Sequence, residues 1–103
     1  MAEIARWTTP TIFYKPCAVT IDNISEIFLT IKQPGGIGIV KDISAAEISE
    51  DSFMWTLTQE DSSKLSSKHS AVIQVDYKTK DDLRYTTVPR NFTIGESGIN
   101  EVI

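Results

Sequence analysis

A hydrophobic period of two, rather than 3.6, runs through most of this chain and limits what it can fold into. In residues 26–32, Ile27, Leu29 and Ile31 alternate with Glu26, Phe28, Thr30 and Lys32. Successive side chains of a strand point to opposite faces, so this pattern describes a strand with one buried side. Phe53, Trp55 and Leu57 alternate in the same way with Met54, Thr56 and Thr58. So do Ala71, Ile73, Val75 and Tyr77 with Val72, Gln74, Asp76 and Lys78. Shorter β-forming runs at 11–15, 37–42, 85–88 and 92–94 bring the expected total to about seven strands.

The turns between these runs have identifiable chemistry. Pro34, Gly35 and Gly36 supply a fixed φ and then positive φ, so residues 26–32 and 37–42 are expected to form a hairpin. Lys80, Asp81 and Asp82 predict a second hairpin between the run ending at Tyr77 and the one starting at Tyr85. Pro89 has no N–H to give to a ladder and predicts an edge or a bulge. Thr58 followed by Gln59, Glu60 and Asp61 has capping-box spacing, which predicts a helical turn or two through Leu65. A second helical piece at 44–48 is too short to stand alone. The expected fold is therefore all-β: one domain over residues 1–103, an immunoglobulin-like antiparallel β-sandwich with one short helical turn. The segment from Trp55 to Tyr77 is expected to cross from one sheet to the other.

Composition argues against several functions. Fourteen acidic residues against ten basic ones give a net charge of −4, and the densest basic stretch, 78–90, is interrupted by Asp81 and Asp82. Nucleic acid is thus not an expected partner, because phosphate contacts need clustered Lys and Arg. No window approaches the roughly 18 apolar residues of a membrane span. The opening MAEIARWTTP lacks a charged region followed by an apolar one, so synthesis in the cytoplasm is expected.

Chemistry is equally poorly provided for. Cys17, the single cysteine, follows Pro16 and precedes Ala18 and Val19; it reads as a small buried or half-buried residue rather than a nucleophile. His69, the single histidine, lies among loop serines with no nucleophile elbow, which argues for a solvated loop residue and against histidine metal sites. The pairs Glu50–Asp51, Glu60–Asp61 and Asp81–Asp82 fall where turns and helix starts favour acids. Gly35, Gly36 and Gly38 lack the spacing of a phosphate loop. The chain is read as a non-enzyme with no cofactor and no metal.

The aromatics point instead to contact surfaces. Trp7, Tyr14, Phe28 and Tyr85 do not fall on the buried face of a well-patterned strand, and Met54 joins Phe28 on a nominally outward one. Trp7, Phe28, Met54 and Tyr85 are the expected partner-contact residues. The segment before Pro10 and residues 99–103 are expected to be able to add as strands to a neighbour. A rival reading is a small carbohydrate-binding module, with Trp7, Tyr14 or Tyr85 stacking on sugar rings.

Several short stretches resemble one family. Arg6-Trp-Thr-Thr-Pro-Thr-Ile-Phe13 resembles the Gly-Thr-Thr-Pro-Thr opening of small tail and baseplate-associated proteins of phages and prophages of Gram-positive bacteria. Leu57-Thr-Gln-Glu-Asp61, Val72-Ile-Gln-Val75 and the closing Gly98-Ile-Asn-Glu-Val-Ile103 are similar to later stretches of the same family. Two departures are visible: Trp7 stands where the family usually has Gly, and Asp81-Asp82-Leu83-Arg84 replaces an Asp-Gly turn. The resemblance, which extends to the N-terminal module of the upper baseplate protein, implies a β-sandwich without enzymatic activity. It further implies docking to other virion proteins or to copies of itself, and a location in the virion after a period in the host cytoplasm.

Overall fold

Alternating segments of this kind need neighbours for their backbone N–H and C=O groups, and the chain supplies them in two sheets. The computed structural model describes residues 3–17, 19–36, 38–99 and 101–103. Among them are the strands β1 (Glu3–Ala5), β2 (Thr11–Tyr14), β3 (Ile24–Lys32), β4 (Gly38–Lys41), β5 (Glu47–Ile48) and β6 (Phe53–Thr56). The helix α1 (Gln59–Ser63) follows, and then β7 (Ala71–Thr79), β8 (Arg84–Thr86) and β9 (Arg90–Gly95). The larger sheet has the order β1-β9-β7-β3-β4, with β8 also on β7; the smaller has the order β2-β6-β5. All pairings are antiparallel except that of β1 with β9, which is parallel.

The all-β sandwich expected from the alternation is the observed fold. Ile27, Leu29 and Ile31 from β3 and Ile73, Val75 and Tyr77 from β7 face Phe53, Trp55 and Leu57 of the β6 segment, and all are buried. Each such side chain contributes roughly 1.5–3 kcal/mol on burial. Phe53 and Trp55 stack at 6.1 Å, and the Trp55 indole donates to the carbonyl of Asp42, just past β4, at 3.0 Å. That bond ties the smaller sheet to the larger one. The connection from β6 through α1 to β7 crosses between sheets, as the spacing predicts.

Both expected hairpins form, β3 with β4 and β7 with β8. Gly35 and Gly36 adopt φ of 94° and 85°, the left-handed region that only glycine enters without steric cost. At the start of β3 the register slips between Ile24 and Glu26, and the bulge lets both Ile24 and Ile27 be buried. A second irregularity lies at Pro89: the four steps from Thr86 to Arg90 oppose only three, from Asp76 to Ile73. β8 and β9 are therefore one path along β7 broken by a bulge, which is where a proline can sit.

The structure corrects some expectations. β1 and β5 add to the expected seven strands; at three and two residues they are too short to show a period. Residues 44–48 are not helical as a unit: a 3₁₀ turn at Ile43–Ala45, capped by Asp42, leads into β5. Cys17 is exposed rather than buried, because Pro16 is the residue that turns inward there. The run expected at 37–42 begins at Gly38 within the described residues, and Ile37 lies outside them.

Candidate protein-contact surfaces

The four side chains singled out in the sequence do not form one patch. Phe28 is on the outer face of the larger sheet, 39% exposed and directly across from Asp76. Val40, also exposed, lies on the same face, paired with Thr30. Charges surround Phe28: Lys78 contacts Glu26 and Asp82, and Arg84 approaches Asp76. Met54 is half-buried on the opposite side of the molecule, on the outer face of the smaller sheet.

Tyr85 and Trp7 lie apart from both outer faces and are half-buried, like Met54. Tyr85 is half-buried and stacks on core residue Tyr77 at 5.2 Å, because the two are direct partners in the β7–β8 register and so share the inner face. Trp7 is on no strand. It occupies the turn after β1 at φ 66°, half-buried, and its indole Nε1 is buried without a hydrogen-bond partner among the described residues. The turn is held by Arg6, whose guanidinium reaches Glu96 at 3.1 Å and the Ser63 carbonyl at 2.9 Å.

Both terminal segments make contacts within their own chain, although β1 is an end strand of its sheet. β1 is already paired with β9 of its own chain, continued by a bond from Arg6 N–H to the Gly95 carbonyl at 2.9 Å. At the other end, the side-chain amide of Gln59 both donates to the Ile103 carbonyl and accepts from its N–H, each at 2.8 Å. Ile99, Val102 and Ile103 are nonetheless exposed.

Phe13 is the residue that the sequence reading missed. It is 66% exposed and lies directly opposite Met54, beside the hydroxyl pair Thr11–Thr56 at 3.0 Å. The signal was present in the alternation of Ile12, Phe13 and Tyr14, but all three are apolar and the run is four residues long, so its faces are not distinguishable by polarity. Ile12 and Tyr14 face inward. Burial pushes the Tyr14 phenol above its ordinary pKa, with hydrogen bonding to Tyr77 adding to the shift, so it is protonated and uncharged at neutral pH.

Between β2 and the β7–β8–β9 edge the sandwich is open, leaving an apolar groove of about 670 Å³ into which Tyr14, Tyr77 and Tyr85 project. His69 is exposed in its loop, and no cluster of three or more His, Cys, Asp or Glu side chains suited to a metal occurs among the described residues. Among the described residues, no helix is long and apolar enough to cross a membrane. No family model, curated protein or solved structure matches the chain.

Proposed function

We propose that this domain is a non-enzymatic structural or assembly component of a phage or prophage particle, in the tail or baseplate region, acting through protein contacts. The observation that carries the reading is the presence of exposed apolar side chains on both outer faces of one small sandwich. Phe13 beside Met54 marks one face, and Phe28 with Val40 the other. Large apolar groups held outward on rigid strands and rimmed by polar ones suit a body that contacts neighbours on two sides.

The backbone supports the family resemblance at its two points of departure. Trp7 and Asp82 are the only non-glycine residues with positive φ among the described residues, at 66° and 69°. Trp7 stands where the resembling family usually has glycine, and Asp82 is one of the four residues that replace its Asp-Gly turn. The chain thus keeps a backbone shape suited to glycine while carrying other residues there.

The test is quantitative mass spectrometry of density-purified particles from an induced lysogen or infected culture of the source organism. The expected result is co-purification at a fixed copy ratio to the tail proteins. Abundance in the lysate with absence from particles overturns the reading.

A further inference from the structure

We propose that the free edge of β2, with the groove beside it, accepts an extended acidic segment of a partner protein as an added strand. The inference rests on the protein-contact reading above only in that the occupant is a polypeptide. The edge follows from the ladder. Leu57 N–H donates to the Pro10 carbonyl at 2.9 Å. Bonding alternates along an antiparallel pair, so Ile12 and Tyr14 direct their backbone groups toward β6, while Thr11 and Phe13 direct theirs away from it. β2 is the outermost strand of its sheet, and no strand pairs with that outer side among the described residues. Pro10 and Pro16 bracket the segment and confine an incoming strand to the window between them.

The groove gives such a strand something to bury. Ile12, Tyr14, Val75, Tyr77, Tyr85 and Phe92 line it, and its volume of about 670 Å³ is that of a side-chain-binding cleft. Alternate side chains of an added strand would enter it while the others continued the outer face that carries Phe13. Charge selects the occupant. No carboxylate lines the groove, whereas Lys15 and Arg90 do. Lys15 is shared with Asp51 at 3.1 Å, and Arg90 makes no ion pair among the described residues. With Lys15 neutralised by Asp51, the charge left at the groove among the described residues is the cation of Arg90, which is complementary to an acidic flank rather than to a basic one.

The experiment titrates the full chain, followed by NMR amide exchange, with a synthetic peptide carrying a Val-Thr-Val-Thr-Val core between aspartates and with its lysine-flanked counterpart. The expected result is protection of the Thr11 and Phe13 amides on binding, with the aspartate-flanked peptide bound about tenfold more tightly. Arg90→Glu is expected to abolish that preference, and Phe13→Pro, which removes an outward N–H, to abolish binding. If Phe13→Pro fails to fold, Arg90→Glu carries the test, since that side chain is exposed and makes no ion pair among the described residues. Unprotected edge amides, equal affinities or self-association through β2 would each overturn the proposal. Peptide binding by a chain absent from particles removes only the virion reading, whereas stoichiometric incorporation without peptide binding removes only this one.

Discussion

Gln33 is buried, yet its side-chain amide is fully used: Nε2 donates to the carbonyls of Ser66 and His69, and Oε1 accepts from Ser66 N–H. It pins the Ser-rich loop to the end of β3. Gln33→Leu removes all three bonds to that partly exposed loop, and is expected to cost about 1 kcal/mol by urea denaturation. Asp82 makes a different contribution, holding φ 69° in the turn between β7 and β8. Asp82→Val is expected to lower stability by about 1–2 kcal/mol, because a β-branched side chain clashes in the left-handed region, whereas Asp82→Gly should not lower it. Equal urea midpoints for the two variants would show that the turn relaxes. The turn at Asp82 was legible in the residues themselves, but the role of Gln33 was not. A glutamine after an alternating run signals only polarity, and its three partners lie about thirty residues away in sequence, at separations of 33 and 36.

Helix α1 is too short to be stable alone, and its cap and neighbours hold it. Asp61 N–H donates to Thr58 Oγ1 at 3.0 Å, Thr58 N–H donates to the Asp61 carboxylate at 3.1 Å, and Lys41 pairs with that carboxylate at 2.9 Å. Thr58→Ala is expected to cost about 1 kcal/mol. Burial by itself would raise the Asp61 pKa, but the bonds from Lys41 and Thr58 outweigh it and hold the carboxyl below its ordinary value. A depressed folded pKa gives stability that is present above the unfolded value of about 3.9 and lost as pH falls through the folded one. Asp61→Asn should therefore lower the urea midpoint at neutral pH and reduce its fall on acidification. Some acid sensitivity should persist, because Asp42, Asp81 and Glu96 are depressed as well. The capping box was legible because its parts are three residues apart; the Lys41 contact was not, because it joins separate elements.

At the scale of the molecule, the outer faces are independent of the core that joins the sheets. Phe13→Asp is expected to change stability by no more than about 0.5 kcal/mol, since its side chain is exposed, whereas Phe28→Asp is expected to cost up to about 1 kcal/mol because it places a carboxylate directly across from Asp76. Each should reduce incorporation into particles, and unchanged incorporation for both would remove these faces as contacts. The sequence by itself determined the strand class and the buried sides of β3, β6 and β7. It also determined two hairpins, the capped helical turn and the break at Pro89. These follow from local physics, namely the pleat, positive φ at Gly35 and Gly36, and a missing proline N–H. Only the tertiary structure decided that β1 runs parallel to β9, that Tyr85 turns inward onto Tyr77, that Phe13 joins Met54, and that β2 is left with a free edge over an open groove. The same alternation is compatible with many strand orders; neighbours, edges and openings are selected by long-range pairing and the packing of one sheet on the other.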